Sequence, residues 1–123
     1  MLNKNDCNIT AIEDPNVRLE LRPDPFSSLE LKIRTVTYPA GRIGGVQASD
    51  DDFRGVARGR SLTRNGRLDS RVTLTPRNGQ IEVTFSGHSL EGDEGGFTVD
   101  GKEFLELVEW AIASRTGRRE VTP

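Results

Sequence analysis

Arg71-Val-Thr-Leu74-Thr-Pro-Arg-Asn78-Gly79-Gln-Ile81-Glu-Val83-Thr-Phe85 is the stretch that decides the fold. Asn78-Gly79 is the dipeptide that best tolerates the positive φ angles of a two-residue hairpin turn. Folding the chain there pairs Leu74 with Val83 and Val72 with Phe85, and sets Pro76 beside Ile81. Thr75–Glu82 and Thr73–Thr84 then share the opposite face, and a one-residue slip would turn every apolar side chain to water. A glycine-rich acidic loop follows, and then a helix. Asp100 with Glu103 approaches a capping box, Phe104, Leu105, Val108, Ala111 and Ile112 recur at helical spacing, and Gly117 is a natural stop.

Upstream, Val17, Leu19 and Leu21 alternate with Arg18, Glu20 and Arg22, and Leu29, Leu31 and Ile33 with Glu30, Lys32 and Arg34. Pro23 and Asp24-Pro25 separate the two runs, which predicts a first hairpin. The alternation shifts after Thr35, which suggests a bulge, and a weak strand follows around Ile43–Ala48. Asn65-Gly66 repeats the turn signal and predicts a second hairpin joining 53–63 to 67–75. Its register sets Arg64 opposite Arg67, Arg60 opposite Arg71 and Arg58 opposite Thr73. A short helix after Asp50-Asp51-Asp52 is the alternative, weighed against by Gly55 and Gly59. The expected fold is α+β, an antiparallel β-meander of about six strands curved over one C-terminal helix. It forms a single domain over 1–123, with 1–8 and 116–123 as tails.

Hydrophobic residues make up 33% of the 123 and charged residues 29%, which suits a thin core covered from one side. Cys7 is the one thiol, so no internal disulfide forms, and no apolar run resembles a signal peptide or membrane span. The expectation is a cytoplasmic protein. The formal net charge of −2 hides a segregation: residues 54–77 carry seven arginines against Asp69, and 78–110 carry eight acids against Lys102. Such blocks either pair internally or present opposite fields to a partner.

Arg58, Arg60, Arg64, Arg67 and Arg71 share one face if the second hairpin forms, and like charges directly across a ladder require compensating anions. One reading is an anion-binding surface for an acidic protein or for phosphates; the other is neutralisation by Asp69, Glu82 and Asp50–Asp52. Trp110, beside Glu103 and Glu106 on the helix, reads as an interface anchor or as a cap on the core edge. Glu91, Asp93 and Glu94 in the glycine-rich loop are candidate partner contacts, and His88 lies among them. No metal-ligand spacing, catalytic constellation, dinucleotide fingerprint or P-loop is present, so no cofactor and no enzymatic activity are expected.

Arg54-Gly-Val-Ala-Arg58 has the arginine spacing of cyclic-di-GMP-binding PilZ domains, but their Asp/Asn-x-Ser-x-x-Gly motif is absent downstream. Across 62–112 the pattern Gly66-Arg-Leu68, Val72-Thr-Leu74, Asn78-Gly79-Gln-Ile81-Glu-Val83 and Phe104-Leu105-Glu-Leu107 resembles small bacterial toxin-immunity proteins of the WapI type. That resemblance implies a non-enzymatic inhibitor that buries a toxin's active face. The expected partner is a protein, with nucleic acid as the alternative and no membrane association.

Overall fold

The computed structural model describes residues 2–35, 42–66, 70–86 and 95–120. The class is α+β with a C-terminal helix, built from two antiparallel sheets and two helices. The first sheet runs β1 (Leu2–Asn3), β2 (Asn8–Thr10), β3 (Val17–Pro23), β4 (Ser28–Thr35) and β5 (Arg42–Ser49). Helix α1 (Asp50–Ala57) leads to the second sheet, β6 (Leu62–Asn65), β7 (Arg71–Arg77), β8 (Gln80–Ser86) and β9 (Gly95–Asp100). Helix α2 (Gly101–Glu120) closes the chain.

The hairpin at Asn78-Gly79 has the expected register, with Leu74 opposite Val83 and Val72 opposite Phe85. Asn78 and Gly79 take φ of 53° and 79°, as this turn demands. The first hairpin also forms, with Leu19 opposite Ile33 and Leu21 opposite Leu31. The register shift between β4 and β5 lies between Leu31 and Ile33 rather than at Thr35. At the N-terminus, β1 and β2 pair where a tail was expected, Leu2 lying opposite Ile9.

The stretch 53–63 does not form the expected strand. Ser49 caps α1 by accepting the Asp52 N–H at 3.0 Å, and three aspartates occupy the first turn, where the helix dipole favours them. Gly59 is the stop signal of that helix. Its φ is 105°, its N–H donates to Val56 O at 3.0 Å, and Arg60 N–H reaches back to Gly55 O at 2.9 Å. These two bonds make a Schellman ending. Only Leu62–Asn65 remains to pair with β7, Arg64 facing Val72 and Asn65 facing Arg71.

The chain contains a related unit twice: an antiparallel sheet, of five strands in the first and four in the second, whose last strand ends in a residue that caps a helix. Val46-Gln-Ala48-Ser49-Asp-Asp-Asp52-Phe53 corresponds to Phe97-Thr-Val99-Asp100-Gly-Lys-Glu103-Phe104. Asp100 Oδ2 accepts the Glu103 N–H at 3.0 Å, as Ser49 does for Asp52. Phe53 and Phe104 are the two largest fully buried side chains. Helix α1 packs on β4–β7 and on α2, while α2 packs on β2, β3, β8 and β9, so the core lies between the helix pair and both sheets. On α2 the buried stripe is Phe104, Leu107, Val108 and Ala111, with Leu105 exposed instead of buried. The helix also continues past Gly117 to Glu120.

The two units are tied at one seam. Ile12 N–H donates to Thr98 O at 2.8 Å, and the Glu13 carboxylate accepts the Thr98 N–H at 2.8 Å and its hydroxyl at 2.6 Å. The outer edge of β9 is thereby covered, which removes a template for stray strand pairing.

Candidate functional site: a basic face on the five-stranded sheet

The arginines read as one face are dispersed. Arg64 points to the side of Leu62 and pairs with Asp52 at 2.8 Å, while Arg71 lies on the opposite side and donates to Asn65 Oδ1 at 3.1 Å. Arg58 is the C-cap of α1, and Arg60 follows it with its N–H bonded back to Gly55 O at 2.9 Å. The physical reason is the helix: once 50–57 coils, no strand remains to carry Arg58 and Arg60 beside β7. Arg54 binds Glu109 on α2 through two bonds of 2.9 and 3.1 Å, and the guanidinium holds that carboxyl below its ordinary range. Arg67, Asp69, His88, Glu91, Asp93 and Glu94 lie outside the described residues.

Trp110 is 40% exposed and packs on the N-terminal turn. Its Nε1–H donates to Lys4 O at 3.1 Å, and Lys4 Nζ stands 5.4 Å from the ring centroid. Nearby, Glu103 accepts the Leu2 N–H at 3.1 Å while its own N–H donates to Asp100. Trp110 therefore fastens β1–β2 to α2.

The three aspartates are divided among structural tasks. Asp50 meets Arg115 from α2, which donates to both Asp50 oxygens (2.7 and 3.1 Å), to Asp24 O at 2.7 Å and to Ser28 O. This clamp pins the β3–β4 turn to the start of α1. Hydrogen bonding to Asp50 raises the Arg115 pKa. In the same turn, Asp24 accepts from Ser28 Oγ and from the Phe26 N–H, and the Ser28 bond lowers its pKa. Burial pushes Asp52 up, but hydrogen bonds from Ser49 and Arg64 bring it below its ordinary value. The Thr98 hydroxyl does the same for Glu13.

The constellation missed in the sequence is on the outer face of the five-stranded sheet. Register places Arg18 directly opposite Arg34, and Arg34 opposite Arg42, three arginines in one row across three strands. The adjacent row holds Asn8, Glu20 and Lys32, and the next Arg22, Glu30 and Gln47. Like charges in direct opposition destabilise a ladder. Glu20 offsets part of this: it is 4% exposed and lies 3.2 Å from Arg34 Nε and 3.4 Å from Arg22 Nε. Lys32 pairs with Glu30 at 3.5 Å.

The compensation is incomplete. Asn8 Oδ1 and Arg18 Nε are buried without a hydrogen-bond partner, while Glu20 Oε1 and Arg34 Nε, also buried, meet only the ion pairs just given. At the end of the same hairpin, Phe26 is 80% exposed on the turn that Arg115 and Asp24 hold rigid. The signal for this face was present in the alternating Arg18, Glu20, Arg22 and Glu30, Lys32, Arg34, but alternating charge reads as a solvated strand surface.

Among the described residues no group of three or more His, Cys, Asp or Glu is placed to hold a metal ion, and no helix is long and apolar enough to cross a membrane. Comparison with protein-family models, with curated proteins and with solved structures finds no match to this chain.

Proposed function

We propose that this chain is a non-enzymatic protein-binding module that docks an acidic surface of a partner protein onto the outer face of its five-stranded sheet. The observation that carries this reading is the like-charged register of Arg18 opposite Arg34, with Arg34 and Arg22 sharing the single buried carboxylate of Glu20. Carboxylates of a partner would pair with the exposed ends of the Arg22 and Arg34 guanidinium groups, whose Nε atoms already face Glu20. The basic face steers encounter with an acidic patch, and Phe26 on its rigid turn supplies an apolar anchor beside the charged area. A role as inhibitor or immunity protein follows the same physics, with the partner's active face covered by the sheet.

Nucleic acid is the less favoured ligand because a carboxylate, Glu20, sits in the middle of the arginines. A phosphate backbone gains from uninterrupted cationic contacts and loses against such a charge. Affinity purification of the chain from its source cell at low salt, read by mass spectrometry and by ultraviolet absorbance, tests the reading. A stoichiometric protein that rebinds in purified form, and is lost on charge reversal of Arg18 and Lys32, is the expected result. Recovery of nucleic acid that elutes with modest salt would replace it.

A further inference from the structure

Arg18 and Arg34 are direct partners in the β3–β4 register, and no carboxylate shares their row: Thr10 lies beyond Arg18 on β2 and Arg42 beyond Arg34 on β5. Directly opposed residues of an antiparallel pair are about 4.5–5.5 Å apart at Cα, which tethers two guanidinium groups within reach of one anion. Their commitments differ. Arg34 turns its Nε to Glu20 Oε2 at 3.2 Å, and its side chain is 43% exposed, so its outer end is open to a ligand. Arg18 makes no ion pair and no side-chain hydrogen bond among the described residues. Arg22 and Lys32, by contrast, meet Glu20 and Glu30 at 3.4 and 3.5 Å.

Charge sets the kind of anion that fits. On the outward positions of β3 and β4, Arg18, Arg22, Lys32 and Arg34 stand against Glu20 and Glu30, so two positive charges are left over. One carboxylate offsets one of them. A phosphorylated side chain carries about −1.5 to −2 charges at neutral pH and three acceptor oxygens, enough to meet both opposed arginines at once. The neighbouring rows limit how far the anion extends. Two residues along, about 6.8 Å away, Glu20 lies opposite Lys32, and the row after that sets Arg22 opposite Glu30. A carboxylate recurs in each of these rows, so a single dianion is accommodated at Arg18 and Arg34 where a run of phosphates is opposed.

We propose that the basic face recognises a phosphorylated side chain on the partner protein, with the phosphate held between Arg18 and Arg34. This rests on the docking reading above and adds to it that the anion answering the arginine pair is a reversible modification of the partner. Phosphorylation and dephosphorylation of the partner then set the association.

Titration of the ¹⁵N-labelled full chain with a short glycine-alanine peptide carrying a central phosphoserine, with its serine and glutamate counterparts, and with inorganic phosphate tests it. Saturable shifts are expected at the amides of residues 18–20 and 32–34 and at the Arg18 side chain. The phosphopeptide binds roughly tenfold or more tighter than the glutamate peptide. Arg18→Gln brings it down to the glutamate level, while Arg34 is kept because Glu20 leans on it. Affinity falls below about pH 6, as the phosphate passes from dianion to monoanion. Arg71→Gln, on the other sheet, leaves binding unchanged. Equal affinity for the phosphoserine and glutamate peptides would overturn this inference and leave the docking reading standing. A purified partner that binds the Arg18→Gln, Lys32→Gln chain as tightly as wild type would remove both. Inorganic phosphate bound as tightly as the phosphopeptide, shifts away from β3 and β4, or no saturable shift would each overturn the inference too.

Discussion

Replacing Arg115 by alanine tests whether the clamp between α2 and the β3–β4 turn holds the two ends of the fold together. The wild-type side chain is 11% exposed and its partner Asp50 15%. Four donor contacts would be lost, two to Asp50 and one each to Asp24 O and Ser28 O. Removing one member of a buried ion pair costs about 3–5 kcal/mol, because the remaining charge stays desolvated. Residual exposure of Asp50 lets water recover part of that, so about 3 kcal/mol is expected for Arg115→Ala. At about 4 °C per kcal/mol for a chain of this size, Tm falls by about 12 °C. Asp50→Ala should cost a similar amount, and the double variant should fall short of the sum by about 2 kcal/mol because the pair is lost once. Urea unfolding followed by circular dichroism measures all three, with exposed Arg58→Ala as a control expected within about 0.5 kcal/mol of wild type. An Arg115→Ala variant as stable as that control, or strict additivity with Asp50→Ala, would refute the clamp.

Three further expectations are as specific. Gly101 N–H donates to Gly79 O at 2.9 Å, and a Cβ on Gly101 would stand 2.6 Å from that same oxygen. Gly101→Ala should therefore destabilise by about 1–3 kcal/mol through forced separation of α2 from the Asn78-Gly79 turn, again read by urea unfolding. Glu13, Asp24, Asp52 and Glu109 all titrate below their ordinary values in the folded chain. Folding thus favours their ionised forms, so stability is full above about pH 5 and declines as pH falls through their lowered folded pKa values. Urea midpoints that stay flat or rise between pH 5 and pH 3 would contradict this. Phe26→Ala should leave stability within about 0.5 kcal/mol of wild type while weakening partner binding by about tenfold or more; equal binding would remove Phe26 from the docking surface.

The 71–86 hairpin was legible because its turn dipeptide and its two alternating runs specify one register between them. Helix α1 was not, since Gly55 and Gly59 count against a helix on propensity alone. Gly59 is instead the left-handed residue that ends it, and Gly55 is a buried position of the helix. That single element moved Arg58 and Arg60 away from β7 and dissolved the expected arginine face. The repeated unit was written in the parallel between Ser49-x-x-Asp52-Phe53 and Asp100-x-x-Glu103-Phe104, yet it becomes visible only when both strands are seen to run straight into their helices. The basic face depended on something no local pattern carries. Alternating Arg, Glu and Arg is what a solvated strand surface also shows, and the burial of Glu20 between arginines arises only when β2, β3 and β4 lie side by side.

The central claim is tested most directly by comparing two pairs of substitutions against the purified partner. Arg18→Gln with Lys32→Gln neutralises the sheet face but keeps the Arg34–Glu20 contact. Arg58→Gln with Arg60→Gln removes the same charge from the α1 end. Titration calorimetry at two salt concentrations should show the first pair binding about tenfold or more weaker with a flatter salt dependence, and the second pair unchanged. Loss of binding from the Arg58 and Arg60 pair, with the Arg18 and Lys32 pair at wild-type affinity, would contradict the account.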